Sequence, residues 1–189
     1  MAKSSKTTQL SNLPVLTRFI TGHNEKGEAI VQSEGPGAWR PHEKNSMDFN
    51  VMYTTSQFPA DLNNDRDITA HEHKMASGQL GLVSPGGTVC RVVDFAPGAP
   101  SLMHRTQSLD YGIVLEGEIE MLLDSGETRL LKRGDIAVQR ATMHAWRNPS
   151  QTEWARMVYA LQDAQPLVVG DRQLQENLGQ SEDIKPSRL

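Results

Sequence analysis

Short stretches in which apolar and polar residues alternate run along most of this 189-residue chain, separated by turns rich in Gly, Pro, Asn and Asp. Alternation of this kind is typical of β-strands with one buried face, because successive side chains of a strand point to opposite sides. The turn residues between the stretches indicate antiparallel neighbours. The pattern therefore predicts an all-β protein that forms a closed or sandwich-like barrel.

The same pattern locates the individual elements. Strands are predicted at residues 15–21, 29–33, 49–55, 80–83, 88–95, 114–123, 129–131, 136–139 and 153–161. The first two are predicted to form a hairpin about the turn at residues 24–27. Residues 35–46 have no regular pattern, and residues 1–12 are polar and predicted to fray. Residues 171–178 are predicted to form one or two helical turns, begun by Asp171 and ended by Gly179.

These elements suggest three segments along the chain. We place a barrel at residues 80–162, an extension of hairpin, strand and loop at residues 1–79, and a tail with a short helix at residues 163–189. A chain of this length can bury its own core. The extension supplies more strands than one barrel needs. Unpaired strand edges attract a partner, so we expect the extension to pack on the barrel or on a second copy, in a homodimer.

Two of the six histidines lie close together, in His71-Glu72-His73. A spacing of two would place both imidazoles on one face of a strand, as in a metal-binding strand. The flanking residues show no alternation, however, so we interpret this part of the chain as a solvated loop.

Composition excludes several classes of function. The formal net charge is −4, and Lys and Arg are dispersed, which argues against a nucleic-acid or membrane partner. A single cysteine, Cys90, excludes an intramolecular disulfide and favours a reducing, cytoplasmic setting. No apolar stretch has the length of a signal peptide or of a membrane span.

Two segments that each carry a histidine flank the hairpin predicted near residues 114–131. The first contains Gly98, His104, Thr106, Asp110 and Gly117, with five, one, three and six residues between consecutive members. This spacing resembles the first motif of the cupin family, which has His where this chain has Thr106 and Glu where it has Asp110.

The second segment contains Gly134, His144 and Asn148, and it resembles the second cupin motif. Residues 139–142 replace the Pro and Gly that the family usually has there. The resemblance covers residues 88–162. It implies a double-stranded β-helix, a jelly-roll-like barrel, whose interior receives His104, Asp110 and His144.

The resemblance also implies chemistry for those three residues. Two imidazoles and a carboxylate suit Fe(II), Zn(II), Mn(II) or Ni(II). The family's additional ligand position is Thr106, whose hydroxyl is a poorer ligand, and Asp110 is shorter than Glu. The alternative is a barrel without metal, in which the same His104, Asp110 and His144 act as acid and base.

Periodicity adds candidates for substrate binding. Within residues 88–95, Arg91 shares a face with Val93 and Phe95, and it is either a partner for a substrate carboxylate or phenolate or a solvated edge residue. Thr106 shares a face with His104, and Trp146 with His144. Apolar residues that could line a cavity or belong to the core are Met103, Tyr111, Ile113, Met121, Met143, Trp146 and Met157, of which we assign Tyr111 and Trp146 to substrate binding.

Three functions follow as hypotheses. The resemblance implies a tailoring enzyme of secondary metabolism or aromatic catabolism. We favour a lyase or isomerase that dehydrates, decarboxylates or isomerises an aromatic or polyketide-like substrate. The alternatives are an Fe(II)-dependent dioxygenase or related oxidoreductase, and a ligand-binding barrel without catalytic activity.

Overall fold

The computed structural model describes residues 8–188. Within them the secondary structure is almost entirely β. The elements are β1 (Arg18–His23), β2 (Ala29–Gly35), β3 (Trp39–His42), β4 (Met47–Thr54), α1 (Arg66–Ser77), β5 (Thr88–Phe95), β6 (Ser108–Glu116), β7 (Glu118–Leu123), β8 (Thr128–Lys132), β9 (Ile136–Arg140), β10 (His144–Arg147), β11 (Ala155–Asp163), β12 (Leu167–Val169) and β13 (Arg172–Leu174).

Two antiparallel sheets form the body of the molecule. One has six strands in the order β3-β4-β5-β11-β6-β9, and the other has three in the order β10-β7-β8. Apolar side chains from both sheets meet in one core, with Val93 and Met157 from the larger sheet and Ile119 and Leu131 from the smaller. This arrangement confirms the all-β prediction, and it leaves the space between the sheets as the natural place for a ligand cavity.

The N-terminal extension contributes to the larger sheet. β4 pairs with β5, and β3 forms the edge beyond it. The predicted hairpin is confirmed as β1–β2, a separate two-stranded sheet. The prediction of irregular chain at residues 35–46 is wrong at β3, which contains Pro41. Proline is compatible with an edge strand, because it needs no ladder partner for a backbone N–H.

The solvated loop predicted around residues 71–73 is wrong. These residues lie in α1, which ends at Gly78 in the left-handed conformation (φ 62°). Positions two apart on a helix point in different directions, so His71 is buried and His73 is exposed. The two imidazoles therefore share no site.

The prediction of helical turns at residues 171–178 is also wrong. The short helix assigned to the tail is therefore replaced by strands. Residues 167–174 form the hairpin β12–β13. Gly170, with φ 59°, allows the tight turn, and the β-branched Val168 and Val169 favour the strand before it.

Two further strand predictions are corrected. Residues 80–83 are not a strand, although they bury Leu82 and Val83 in the core. The single strand predicted at residues 114–123 is broken at Gly117 (φ 72°), where β6 passes into β7.

Residues 1–7 of the predicted frayed N-terminus lie outside the described residues. Residues 8–12 are anchored, which corrects the remainder of that prediction. The backbone N–H of Leu10 donates to Asp48 at 2.9 Å, and the Ser11 hydroxyl donates to Asp94 at 2.5 Å.

Within residues 8–188, no helix has both the length and the apolar character that crossing a membrane requires.

Candidate active site

A cavity opens between the two sheets and contains about 560 Å³ of empty space, counting the part open to solvent. Its walls are mostly apolar. Its polar side chains belong to Arg91, His104, Thr106, Asp110, His144 and Tyr159. The three residues predicted to meet, His104, Asp110 and His144, therefore all line one cavity. His104 lies before β6, Asp110 lies in β6 and His144 lies in β10.

The two histidines are brought together by their own backbones. His104 N donates to His144 O at 2.8 Å, and His144 N donates to His104 O at 2.9 Å. This isolated bridge places the imidazole centroids 4.4 Å apart, with an angle of 49° between the rings. The pairing of the two motif segments is thus the local reason why the rings lie side by side.

Each imidazole is held through its Nδ1 atom. The His104 Nδ1 lies 3.0 Å from Leu102 O, and the His144 Nδ1 lies 2.9 Å from Thr142 O. A carbonyl oxygen only accepts hydrogen bonds, so each Nδ1 carries the proton and each Nε2 keeps its lone pair. Burial lowers the pKa of both rings, and with the neighbouring His104 it lowers the pKa of His144 to about 3. Both imidazoles are therefore neutral at physiological pH.

Asp110 is the buried acid of the cavity, with 4% of its surface exposed. Thr106 Oγ1 donates to Asp110 Oδ2 at 3.3 Å, and Ser108 Oγ in turn donates to Thr106 Oγ1 at 2.8 Å. The other oxygen, Oδ1, is buried and has no hydrogen-bond partner among the described residues. Burial raises the pKa of Asp110 to about 6, against the opposing effects of the neighbouring hydroxyls and Arg91.

Arg91 is buried beside this acid, which rules out the solvated-edge interpretation. Its Nη2 donates to Gly81 O at 2.8 Å and to Leu82 O at 3.0 Å, and its Cζ lies 5.3 Å from the centroid of the Phe49 ring. Burial lowers its pKa to about 10, so the guanidinium remains charged at neutral pH. The cavity thus combines one fixed cation, one titratable acid and two neutral imidazoles.

Comparison with known proteins agrees with this architecture. The family model described as "Cupin domain" matches residues 91–160. Over 175 residues, 92% of each chain, the sequence is 45% identical to "Phomopsin biosynthesis cluster protein D" of Diaporthe leptostromiformis. The chain belongs to the cupin family.

Two other relatives of this cupin cover most of its length. It is 41% identical to "Oryzines biosynthesis cluster protein J" of Aspergillus oryzae, over 89% of this chain and 94% of that protein. It is 40% identical to "Cupin-domain-containing oxidoreductase virC" of Hypocrea virens, over 82% of this chain and 79% of that protein.

Among the substrate-binding candidates, the cupin fold brings Arg91, Thr106 and Trp146 to the cavity. Tyr111 is wrongly assigned. It follows Asp110 in β6, so its side chain points to the opposite face, where 43% of its surface is exposed.

Tyr159 is the polar cavity residue that sequence reasoning missed. It is buried in β11, and its hydroxyl donates to the sulfur of Met157 at 2.9 Å. Burial and the nearby Asp110 raise the pKa of Tyr159, which keeps the phenol protonated. Alternation within β11 could have found it, because Tyr159 shares a face with Leu161, which also lines the cavity.

The predicted three-residue metal site does not fit the observed positions. Throughout residues 8–188, no three His, Cys, Asp or Glu side chains are grouped closely enough to hold one metal ion. His104 and His144 supply two suitable nitrogen ligands. Asp110 accepts its hydrogen bond from Thr106 and interacts electrostatically with Arg91 and Tyr159.

Proposed function

We propose that this cupin is a small-molecule tailoring enzyme of a biosynthetic pathway, a lyase or isomerase that moves protons on a largely apolar substrate. The names of its relatives as biosynthesis cluster proteins support the pathway role. The observation that carries the reaction type is Asp110. It is a buried carboxyl with a pKa of about 6 and one unpartnered oxygen, facing the same cavity as two neutral imidazoles.

Asp110 is the better candidate for the acid–base role than either histidine. A general base or acid works best when its pKa lies near the working pH. Asp110 meets that condition, whereas His144, with a pKa of about 3, would resist protonation. The initial assignment of the histidines as proton-transfer groups is therefore revised. Their Nε2 lone pairs would instead accept hydrogen bonds from the substrate and orient it.

A dehydration shows how these groups would work together. The Asp110 carboxylate removes a proton from a carbon next to a carbonyl group, and the electron pair forms a double bond as the neighbouring C–O bond breaks. The protonated Asp110 then returns the proton to the leaving hydroxide, giving water. Arg91 would stabilise the negative charge that develops on the carbonyl oxygen. Decarboxylation or isomerisation would use the same acid and the same cation.

Substitution of the acid tests this proposal. The substrate would be obtained as the intermediate that accumulates when the gene is deleted in its host, and the purified protein would be incubated with it. We expect Asp110→Asn to lower kcat by about 10²–10⁴-fold with little change in KM. The control is Tyr111→Phe, which changes an exposed side chain of the same strand. Turnover of Asp110→Asn at the wild-type rate would refute the acid–base role.

Oxidoreductase activity is the second candidate. The relative from Hypocrea virens is named an oxidoreductase, and the His104–His144 pair presents two neutral nitrogen donors. The test is oxygen consumption after incubation with Fe(II), together with elemental analysis after loading with Fe(II), Zn(II) and Mn(II). Turnover under strict anaerobiosis would exclude an oxygenase.

A ligand-binding protein without catalytic activity is the remaining alternative. The variants His104→Ala and His144→Ala distinguish it from an enzyme. A protein that only binds its ligand would form no product from the accumulated intermediate, and both variants would change binding alone. An enzyme would form product, and product formation at the wild-type rate by both variants would show that the imidazoles have no role in turnover.

A further inference from the structure

A second cleft adjoins the candidate active site. Phe49, Arg91 and Ile184 line both spaces and form the wall between them. The cleft contains about 850 Å³ of empty space, counting the part open to solvent. We call it the C-terminal cleft, because Asp183, Ile184 and Lys185 of the C-terminal segment form one side of it. A molecule too long for the cavity would extend into this cleft.

Contacts with the rest of the molecule hold the C-terminal segment in this position. Asp183 Oδ2 accepts a hydrogen bond from Glu43 N at 2.6 Å. Lys185 Nζ donates to Gly78 O at 2.8 Å. Ile184 packs against the core. The cleft is therefore built by several separate parts of the chain: the β3–β4 region, the end of α1 with the turn after it, β5 through Arg91, and the C-terminal segment.

The charge of the C-terminal cleft is predominantly positive. Arg40, Arg91 and Lys185 line it, and Asp183 is the acidic residue among its lining side chains. Three cations against one carboxylate leave an excess of positive charge in a concave space. Such a space attracts an anionic group.

Two buried nitrogen atoms of the cleft residues lack hydrogen-bond partners among the described residues. They are Nε of Arg91, which is 4% exposed, and Nδ1 of His42. Buried polar atoms are nearly always paired, so unpaired nitrogens beside a cleft suggest a missing ligand. Nε of Arg91 is always a donor, and Nδ1 of His42 is a donor in the tautomer that carries the proton on that atom. The His42 ring also packs on Phe49, with centroids 4.3 Å apart. The unpaired nitrogens thus belong to Arg91, which is part of the wall between the two spaces, and to His42, which packs on the wall residue Phe49.

We propose that the C-terminal cleft binds a carboxylate group of the substrate. The carboxylate would accept a hydrogen bond from the unpaired Nε of Arg91, whose Nη2 already donates to Gly81 O and Leu82 O. Arg40 and Lys185 would supply further positive charge from the other sides of the cleft. The substrate would then be an elongated acid, with its apolar reacting part in the cavity and its carboxylate beyond Phe49 and Ile184. This inference rests on the proposed function, because it takes the cavity as the place where the substrate reacts.

Binding of simple model acids tests the proposal without the natural substrate. The probes are phenylacetate, 3-phenylpropionate and 4-phenylbutyrate, each with its methyl ester, titrated into the full-length protein by calorimetry. We expect at least one acid to bind about tenfold more tightly than its ester, a difference of about 1.4 kcal/mol, because only the acid can accept a charge-assisted hydrogen bond.

Variants of the cleft then locate the carboxylate. We expect Arg40→Gln and Lys185→Gln each to weaken binding of the acid several-fold and to leave binding of the ester unchanged. His42→Phe keeps a ring against Phe49 and removes the unpaired nitrogen, so it should have the same selective effect. The matched control is Lys26→Gln, an exposed lysine in the β1–β2 turn. Circular dichroism checks that each variant is folded.

Three results would each overturn the proposal. They are equal affinities for acids and esters, no binding by any acid, and unchanged affinity for the acid in all three cleft variants. Asp110→Asn separates this inference from the proposed reaction. It should retain the preference for acids if the cleft assignment is correct, whatever its effect on turnover.

Discussion

At the residue scale, burial reverses the usual order of the pKa values of an aspartate and a histidine. Asp110 has its pKa raised to about 6, and His144 has its pKa lowered to about 3. The directions are opposite because burial penalises the charged form, which is the deprotonated acid in one case and the protonated imidazole in the other. The carboxyl therefore becomes the group that titrates closest to neutral pH.

The stability of an Asp110→Asn variant should report this raised pKa. Between about pH 4 and pH 6 the unfolded chain ionises Asp110 while the folded protein keeps it protonated, so the free energy of unfolding falls as the pH rises. A rise from 3.8 to about 6 corresponds to about 3 kcal/mol. We expect Asp110→Asn to be more stable than the wild type at pH 7 by about 1–3 kcal/mol, measured by urea unfolding.

The advantage of Asp110→Asn should shrink as the pH approaches 4, where Asp110 of the wild type is protonated in both states. A stability difference that is the same at pH 7 and near pH 4 would contradict the raised pKa.

The tautomer of His144 can be measured directly. Its Nδ1 donates to Thr142 O, and its pKa is about 3. Nitrogen-15 NMR of the imidazole should therefore show the Nδ1-protonated neutral form throughout the range from pH 8 to about pH 5. Titration of His144 near its ordinary pKa would contradict the deduced state.

Much at the residue scale followed from strand alternation alone. It grouped Arg91 with Val93 and Phe95, and all three line the cavity. It could not choose which face was buried, because a single arginine fits either solvent or a cavity. The incorrect assignment of Tyr111 arose in the same way, from chemical type without a known face.

At the element scale, α1 shows how tertiary contacts can decide a local structure. The Nδ1 of its buried residue His71 lies 2.9 Å from the Thr54 hydroxyl, and its ring stacks on Tyr53 with centroids 4.7 Å apart. The Tyr53 hydroxyl also donates to Asp67 Oδ2 at 2.5 Å, and this hydrogen bond joins β4 to the helix. These contacts dock a polar helix whose residues carry no strong apolar periodicity.

Replacing His71 should therefore destabilise the protein. We expect His71→Ala to lower the free energy of unfolding by about 1–3 kcal/mol, because it removes a buried hydrogen bond and a ring contact. The matched control is His73→Ala, two positions along the same helix and exposed, with an expected effect within about 0.5 kcal/mol. Equal effects of the two substitutions in chemical denaturation would show that His71 does not dock the helix.

At the scale of the whole molecule, the β1–β2 hairpin stands apart from the two main sheets. It exposes apolar side chains, with 59% of Phe19 and 58% of Val31 accessible. Exposed apolar residues on a hairpin that pairs with neither main sheet are typical of surfaces that contact another chain. The expectation of a homodimer remains a prediction, and the hairpin is the surface on which we base it.

Solution mass measurements test that prediction. We expect a dimer at micromolar concentration by light scattering, and we expect Phe19→Ser combined with Val31→Ser to shift the protein to monomer. The corresponding control is Ile136→Ser, at an exposed apolar position of β9. A monomeric wild type would refute the prediction.

The sequence by itself determined the β architecture and the pairing of the two motif histidines. Alternation and turn residues are local properties, and the cupin spacing of Gly98, His104 and His144 is visible in the sequence itself. Only the tertiary structure decided the protonation states, the hydrogen-bond partners of Asp110 and the existence of the C-terminal cleft. These depend on burial and on the positions of residues far apart in sequence, such as Arg91 and Ile184, which line the same cleft. No local pattern encodes such distances.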